Sequence, residues 1–385
     1  MRNWIYCTTP AWLCWTEIRG VDDPELYLGI MSGTSLDGVD AALVLFSGGT
    51  PSLLATHYRP YGAKLKEALL ELHHPAQGEL HQSLLLGNEL AREYAMASTA
   101  ALQLAAVTPK QVRAIGCHGQ TVRHRPDTGY TLQLGNAALL AELSGIAVIS
   151  DFRSRDIAAG GQGAPLVPAF HDKLLRHPDI HRVIVNIGGI SNLTDLPPHK
   201  PATGFDCGPG NLLMDAWIMR HHNKPYDQDG AWAASGQVIP GLLQALLREP
   251  FLHAAPPKSS GRDLFNLDWL EGHLSGNEEP ADVQATLLAL SVHVIADAIG
   301  KFCLGAKEIY LCGGGARNQA LVQQLGAALP DCRIQPTDAL GIEAEWMEAM
   351  AFAWLAQQAL HGHSANLPVV TGARHPCILG AIYQA

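Results

Sequence analysis

The chain has few charged side chains, and the acidic ones outnumber the basic ones. Asp, Glu, Lys and Arg make up 16% of its 385 residues, and 26 basic against 36 acidic side chains give a formal net charge of −10. Soluble globular chains usually carry about 25% charged residues. A negative long-range field repels phosphodiester backbones and anionic lipid headgroups. The sequence therefore predicts neither a nucleic-acid partner nor a membrane-surface partner.

Cysteine pairs with metal-binding or redox spacing are also missing. The eight cysteines stand in apolar or glycine-rich surroundings, without a CxxC pair, at positions 7, 14, 117, 207, 303, 312, 332 and 377. Structural zinc sites place cysteines two to four residues apart, and disulfide frameworks belong to short secreted chains. We expect reduced thiols, a cytoplasmic location and no zinc site, and a disulfide-stapled miniprotein is excluded.

The first 26 residues contain no uninterrupted apolar run long enough to span a bilayer. They are rich in aromatic residues and threonine, and Glu17 and Arg19 interrupt the best candidate segment. We therefore expect residues 1–25 to form neither a signal peptide nor a transmembrane helix. Two explanations stay open for them, a genuine N-terminal arm and a start codon placed too far upstream.

The sequence does contain a globular alternation of strands and helices. Apolar residues make up 47% of the chain, and its 38 glycines and 24 prolines stay below the roughly 25–30% typical of disordered sequence. The predicted strands are 26–31, 39–46, 112–116, 147–150, 183–187 and 308–311, and the predicted helices are 63–106, 137–143, 211–222, 283–302 and 318–329. This alternation favours an α/β fold, and two hairpins that each have a glycine-rich tip favour two related halves.

The first glycine-rich tip, GTSLDGVD at 33–40, is the strongest local signal. Its small residues let backbone N–H groups and hydroxyls approach an anion, and Asp37 or Asp40 could hold a metal through water. The lysine of a Walker A loop is missing, and the loop joins two strands instead of a strand and a helix. The composition favours a site for the terminal phosphates of a nucleotide. The alternative is a tight Asp-Gly hairpin turn.

Two further glycine clusters follow apolar strands, NIGGISN at 186–192 and CGGGARN at 312–318. Glycine lets backbone approach a phosphate or an adenine ring closely. Each cluster alone is equally compatible with an ordinary strand–turn. Three such tips in one α/β chain favour a single nucleotide held between two halves.

Two carboxylates are candidates for acid–base chemistry. Asp206 stands in GFDCGPGN, between Phe205 and Cys207, where partial desolvation raises a carboxyl pKa toward that of a useful base. The alternative for Asp206 is a helix-capping role near the following helix. Glu348 lies on a helical segment with apolar neighbours, and its alternative is a solvated helix face.

Basic and imidazole side chains complete the candidate site. Arg153 and Arg155 precede the flexible stretch AAGGQGAPL at 158–166, and arginine binds carboxylates bidentately. A surface ion-pair cluster is the competing interpretation. His118 and His124 in CHGQTVRH lack a third ligand nearby, which favours a hydrogen-bonded histidine beside a ligand over a metal site.

Together these strings resemble the bacterial anhydro-N-acetylmuramic acid kinases. The resemblance runs from Leu26 to the C-terminus. It is carried by GIMSGTSLDGVD, GCHGQT, DFRSRDIAAGGQGAPLVPAFH, NIGGISN, GFDCGPGNLLMDAW, DGAWAASG, CGGGARN and WMEAMAFAWLA. The glycine tips alone would indicate only the wider actin, hexokinase and sugar-kinase superfold.

The resemblance implies an actin/hexokinase-like fold, with ATP and Mg²⁺ in a cleft between two α/β domains. It implies a cytoplasmic enzyme of cell-wall recycling, commonly a homodimer. In the implied reaction, water opens the 1,6-anhydro ring of anhydro-N-acetylmuramic acid while the freed 6-oxygen takes the γ-phosphoryl group of ATP. The product is N-acetylmuramic acid 6-phosphate. Such a reaction needs a base for the water and charge neutralisation for the phosphoryl group.

The resemblance also assigns residues. Asp206 matches the general base, whereas Arg155 and Glu348 match substrate-binding positions and His118 lies in a segment near the sugar. The expected ATP-binding residues are Gly33, Thr34, Ser35, Leu36, Asp37, Gly38, Val39, Asp40, Gly188, Gly189, Gly313, Gly314 and Gly315. Relatives in the wider superfold often carry an acidic residue where this chain has Gly29 and Met31, so the magnesium ligands stay unassigned.

For the domains, we expect the N-terminal arm at 1–25, a first α/β domain at 26–150 that is completed by about 367–385, and a second α/β domain at 151–366. Two other functions stay open at this point. One is a kinase for a different amino sugar, because this fold accepts many substrates. The other is a nucleotide-driven binding or filament protein, which would not need Asp206, Arg155 and Glu348.

Overall fold

The computed structural model describes residues 23–33, 35–48, 50–73, 76–262 and 264–385. Most of the predicted N-terminal arm and Thr34 of the first glycine-rich tip therefore lie outside the described residues.

The described elements alternate along the chain as an α/β fold requires. The strands are β1 Glu25–Ser32, β2 Gly38–Ser47, β3 Thr50–Pro60, β4 Val112–Arg125, β5 Tyr130–Leu134, β6 Val148–Ser150, β7 Arg182–Ile187, β8 Ile190–Leu196, β9 Thr203–Pro209, β10 Glu308–Cys312, β11 Arg333–Pro336 and β12 Ala381–Tyr383. The helices are α1 Ala63–Glu71, α2 Glu79–Leu104, α3 Ala137–Ser144, α4 Ser154–Ala158, α5 Val167–Leu175, α6 Leu212–His222, α7 Ala231–Ser235, α8 Pro240–Leu246, α9 Pro250–His253, α10 Leu267–Glu271, α11 Pro280–Phe302, α12 Gln319–Ala328, α13 Met347–Leu360 and α14 Pro368–Thr371.

Two sheets repeat one topology. In the first sheet β3, β2 and β1 form an antiparallel meander, and β4 and β6 follow β1 in parallel. In the second sheet β9, β8 and β7 form the same meander, and β10 and β11 follow β7 in parallel. β12 extends the first sheet beside β6, and β5 pairs with β4. The predicted α/β class and the prediction of two related halves are thereby confirmed.

Helix α13 lies in a groove that two paired glycines open on the first sheet. Gly29 on β1 lies opposite Gly116 on β4. A Cβ at Gly29 would collide with the carbonyl of Ala349, and a Cβ at Gly116 would collide with that of Phe352. One apolar cluster joins α13 to inward-facing residues of both sheets. This close approach places the first turn of α13, which carries Glu348, between the two halves.

The outer face of each sheet is covered by its own long helix. α2 packs on the first sheet and α11 on the second, each within a separate apolar cluster. By length and hydropathy α11 could cross a bilayer, but 78% of its most apolar stretch is buried inside the protein. Its apolar sequence is therefore accounted for by the core of the second half.

The chain returns to the first sheet near its C-terminus. β12 joins β6, within the range expected to complete the first domain. α13 belongs by number to the range expected for the second domain, yet it packs on β1 and β4 because of the two glycines. The exact domain boundaries stay a prediction.

Candidate active site

A row of three polar side chains crosses the second sheet. Asn186 on β7 lies opposite Asn192 on β8, and Asn192 lies opposite Asp206 on β9. Phe205 and Cys207, the neighbours of Asp206, pack in the apolar cluster around α11. Because side chains alternate between the two faces of a strand, the polar row lies on the other face, toward α13. At about 4.8 Å between strands, its two ends are about 10 Å apart.

Asp206 is a buried carboxylate at one end of the polar row. The residue is 8% exposed, and the backbone N–H of Ser260 donates to its Oδ2 at 2.9 Å. Burial raises the pKa of Asp206 to about 6, although the Ser260 hydrogen bond and the charges of Arg153 and Lys258 act in the opposite direction. At neutral pH Asp206 is therefore mostly ionised and more basic than an ordinary carboxylate, as a general base requires.

Glu348 meets the other end of the polar row. Asn186 Nδ2 donates to Glu348 Oε1 at 3.2 Å, so this hydrogen bond joins the second sheet to a helix that packs on the first. Burial raises the pKa of Glu348, and the charge of Arg153 opposes that rise. Burial, followed by the charges of Glu348 and Glu345, raises the pKa of Asp40 to about 7. Glu348 and Asp40 therefore lie close enough to repel one another.

Arg153 provides the positive charge of this cluster. Its Nε and Nη2 donate to His118 Nε2 at 3.2 and 2.9 Å, and its charge acts on Glu348 and Asp206. A guanidinium can only donate, so Nε2 accepts and the proton of the ring is on Nδ1. Burial, reinforced by Arg153, lowers the pKa of His118 well below its usual value. The ring is therefore neutral, and its Nδ1 has no hydrogen-bond partner in the described part of the chain.

Arg155, which sequence reasoning assigned to the substrate, is not brought into this cluster. It is exposed on the short helix α4, whereas Arg153 occupies the position just before that helix. Asp156, a buried residue of the same helix, anchors it by accepting hydrogen bonds from Asn366 Nδ2 at 2.6 Å and from Thr371 Oγ1 at 2.7 Å. A role for Arg155 in substrate binding stays a prediction.

The first glycine-rich tip, between β1 and β2, is in part a structural turn. Leu36 and Val39 are fully buried in the core. A Cβ at Gly38 would collide with the backbone of β3. The carbonyl of Gly33 accepts a hydrogen bond from Gln120 Nε2 at 3.0 Å, which ties the tip to β4. This half of the tip therefore has a structural role, although the connection from Ser32 to Gly38 is longer than a tight Asp-Gly turn.

The rest of the tip is open. Asp37 is exposed and forms an ion pair with Lys66 of α1 at 2.6 Å. A Cβ at Gly33 would meet only the hydroxyl of Ser35, at 3.7 Å. Packing against the described residues therefore does not explain the glycine at position 33, and among them the space beside its backbone is open.

The second tip, between β7 and β8, contacts the start of α6. The carbonyl of Gly188 accepts from the N–H of Asn211 at 2.8 Å, and that of Gly189 accepts from the N–H of Gly210 at 2.9 Å. A Cβ at Gly188 would have its nearest neighbour, the carbonyl of Ile190, at 3.5 Å. Gly188 thus also leaves space beside its backbone.

The third tip follows β10. Gly313 and Gly315 are required by packing, because Cβ atoms there would collide with Asn186 Oδ1 and with the side chain of Ile187. Gly314 has no protein atom closer than 3.9 Å to its would-be Cβ. Each of the three tips therefore contains one glycine with open space. The assignment of the tip residues to ATP stays a prediction.

Sequence reasoning did not single out Asn186, Asn192 or the Ser260 backbone. Val183, Val185 and Ile187 of β7 pack in the α11 cluster. Asn186 is the polar exception among the buried positions of that strand. A lone amide in a buried strand is the signal that could have marked it. The Ser260 contact crosses more than 50 residues and leaves no local signal.

A family model described as "Anhydro-N-acetylmuramic acid kinase" matches residues 25–385 of this chain. A curated relative of that name from Nitrosospira multiformis is 58% identical over 361 residues, which cover 93% of this chain and 99% of the relative. The corresponding proteins of Thiobacillus denitrificans and Pseudomonas putida are 57% and 53% identical, and the matches cover 94% of this chain in each case and 98% and 99% of those proteins.

Solved structures with a similar fold are more distant. The activator of the 2-hydroxyisocaproyl-CoA dehydratase from Clostridium difficile with bound ADPNP has a TM-score of 0.45 and 11% identity, and the match covers 88% of this chain and 96% of that one. A ROK hexokinase from Thermus thermophilus has a TM-score of 0.34 and 16% identity, with 86% and 99% covered.

Proposed function

Because the chain belongs to the anhydro-N-acetylmuramic acid kinases, we propose that it opens the 1,6-anhydro ring of anhydro-N-acetylmuramic acid with water and phosphorylates the freed 6-oxygen from ATP. The bond from the anomeric carbon to the 6-oxygen breaks, and the water oxygen becomes the anomeric hydroxyl. The bond between the β-γ bridging oxygen and the γ-phosphorus breaks as the 6-oxygen binds that phosphorus. The products are N-acetylmuramic acid 6-phosphate and ADP.

One observation carries this proposal, the buried Asp206 with a raised pKa on the face of the second sheet that looks toward α13. An ionised carboxylate there accepts a proton from water as the water attacks the anomeric carbon. Ser260 donates to Oδ2, and the side chain of Ser259 also hydrogen-bonds to this carboxylate. The proton then passes from Asp206 to solvent, which restores the base.

The other members of the cluster suit an amino sugar with a carboxylate. Glu348, held by Asn186, can accept from sugar hydroxyls, and His118 lies beside Arg153 in the same cluster. The substrate's lactyl carboxylate needs a cation. Arg155 is the arginine that the family pattern assigns to the substrate, and Arg153 is the one that lies beside His118 and Glu348.

For ATP, we propose that the phosphates lie along the three tips, beside the open glycines Gly33, Gly188 and Gly314. Backbone N–H groups approach phosphate oxygens closely where no Cβ intervenes. The same tips come from both halves, which is the arrangement that phosphoryl transfer by positioning requires.

Asp40 is the carboxylate that best fits a Mg²⁺ ion bound with ATP. It lies at the end of the first tip, and burial with the nearby charges of Glu348 and Glu345 raises its pKa to about 7. A neighbouring cation would offset that repulsion. The described residues contain no group of three or more metal-binding side chains. Mg²⁺ commonly uses one or two carboxylates together with substrate phosphates and water, and it would neutralise charge on the transferred group.

We further propose a cytoplasmic enzyme of cell-wall recycling that acts as a homodimer. The six cysteines in the described part of the chain, from Cys117 to Cys377, are unpaired, as a reducing compartment allows. Light scattering of the purified protein tests the homodimer directly.

Turnover in water enriched in ¹⁸O tests the chemistry. We expect one heavy oxygen on the anomeric hydroxyl of the product per ADP formed, and none in the phosphate. The reaction must be quenched at early times, because a free reducing sugar exchanges this oxygen with solvent. The matched control is N-acetylmuramic acid, the already opened sugar, incubated under the same conditions to measure that exchange.

Heavy oxygen in released inorganic phosphate, with unlabelled sugar at early times, would show plain ATP hydrolysis and refute the proposal. ATP consumption that is independent of any sugar would do the same. Turnover of other amino sugars at rates equal to that of anhydro-N-acetylmuramic acid would replace the proposed substrate.

A further inference from the structure

A short backbone segment at 258–260, here called the strap, runs beside Asp206. β9 is the edge strand of the second sheet, so its outer N–H groups have no strand partner. The N–H of Asp206 donates to the carbonyl of Lys258 at 3.1 Å, and the N–H of Ser260 donates to Asp206 Oδ2 at 2.9 Å. The strap thus contacts both the backbone and the carboxylate of the same residue.

The side chain of Lys258 fixes the strap to the body of the second half. Its Nζ donates to the carbonyl of Phe251 at 3.0 Å and to that of Leu252 at 3.1 Å, both in the short helix α9. The ammonium also lies 4.8 Å from the ring centroid of Phe251 and 5.8 Å from that of Phe205. Cation–π contacts and hydrogen bonds to carbonyls hold a lysine in one place. Phe205 directly precedes Asp206, so Lys258 contacts the base's own strand.

We propose that Lys258 is a positioning residue, which acts through the strap to orient Asp206 and to keep its carboxylate ionised. The inference rests on the proposed function, in which Asp206 is the base. With the strap in place, Ser260 and Ser259 hydrogen-bond to the carboxylate and fix its orientation toward the attacking water. Without it, the carboxylate can rotate and loses a hydrogen bond that favours its charged form.

The charges and polar groups that face Asp206 set the direction of the expected change. Arg153 acts on it from the α4 side, and Lys258, Ser259 and Ser260 act from the strap, all lowering its pKa against burial. Removal of the lysine charge and disorder of the strap both shift the pKa of Asp206 above about 6. The acid limb of kcat/KM then moves to higher pH.

The experiment compares Lys258→Met with Lys301→Met in the full chain. Methionine keeps the apolar stem against the two phenyl rings but has no donor. Lys301, on α11, lines the same surface hollow and pairs with Asp297 at 3.3 Å, so its substitution removes an equal charge without touching the strap. We expect Lys258→Met to lower kcat about tenfold to a hundredfold, to leave KM for the sugar nearly unchanged, and to move the acid limb up by about one pH unit. Lys301→Met should retain the wild-type profile, and Lys258→Arg should restore most of it.

A double-mutant cycle separates positioning from general damage. In an Asp206→Asn background the strap has no base to orient, so Lys258→Met should cause little further loss of kcat. Equal losses in both backgrounds, or an acid limb in Lys258→Met at the wild-type pH, would overturn the proposal. If Lys258→Met does not fold, Ser260→Pro removes the N–H donor itself, and an unshifted acid limb in that variant also overturns it. Near-native turnover of Asp206→Asn alone would instead refute Asp206 as the base, a separate failure.

Discussion

Asp206→Asn should make the protein more stable and nearly inactive at once. The amide keeps an oxygen for the N–H of Ser260, which donates at 2.9 Å in the native protein, but it carries no negative charge. It also cannot take a proton from water. Loss of a positioned general base lowers turnover by about a hundredfold to ten-thousandfold.

The stability gain follows from the pKa. Burial raises the pKa of the folded Asp206 from 3.8 to about 6, so the folded state binds this proton more tightly than the unfolded state does. The contribution of Asp206 to stability is therefore most favourable below pH 3.8 and is lost as the pH rises through about 6. About two pH units correspond to about 3 kcal/mol. The asparagine variant does not titrate, so its advantage over the wild type should grow from pH 4 to pH 7 and reach at most about 3 kcal/mol.

Denaturant unfolding at pH 4 and pH 8, with steady-state turnover at pH 8, measures both effects. Asp227→Asn is the matched control, because this buried carboxylate accepts from the N–H groups of Trp232 and Ala233 at 2.9 Å each. An amide can accept only through its single oxygen, so that variant should be destabilised. A free-energy advantage of Asp206→Asn that is absent at pH 8, or equal at both pH values, would refute the assignment of burial as the cause of the raised pKa.

Three other substitutions test the remaining parts of the site. Gly33→Val should weaken ATP binding at least tenfold, measured by calorimetry, with little change in melting temperature, because a Cβ there meets only Ser35. The control Gly315→Val should lower the melting temperature, because its side chain collides with Ile187. If Gly33→Val kept native ATP affinity but lost the fold, position 33 would be a structural turn only. Arg153→Met should lower kcat about a hundredfold and move the acid limb up, because its charge lowers the pKa of Asp206. Arg155→Met should raise KM for the sugar by up to about tenfold with kcat kept, and an unchanged KM would remove Arg155 from substrate binding.

Elements with a strong apolar pattern could be predicted from the sequence, and weakly patterned ones could not. β1, β2 and α11 were predicted nearly to their ends because their inward positions are apolar and buried. β3, at 50–60, was not predicted, because no fully buried residue marks it from Pro51 onward and it pairs only as the edge of the sheet. β4 was predicted to end near residue 116 but runs to Arg125. The part of β4 after residue 116 is rich in polar residues, although several of them are buried, so it has no apolar strand pattern.

The candidate site divides in the same way. The tips and Asp206 are marked by local sequence, since glycine runs and a carboxylate between apolar residues are visible in a short window. The polar row depends on the register of three strands, which brings Asn186 opposite Asn192 and Asn192 opposite Asp206. No local pattern encodes that register. Likewise, the choice between Arg153 and Arg155 depends on where α4 begins, because only the residue just before the helix reaches His118.

Secondary structure holds Glu348 and Asp206 in the site, although burial makes the ionised form of each carboxylate unfavourable. Glu348 lies beside Asn186 of the second sheet because Gly29 and Gly116 let α13 approach the first sheet. Asp206 lies in the same polar row, on the edge strand of the second sheet. Burial opposes the ionisation of both side chains, with Arg153 as the cation that acts on each. The fold therefore keeps the two acids in place at a cost in stability, which on the proposed function a bound substrate and Mg²⁺-ATP would partly offset.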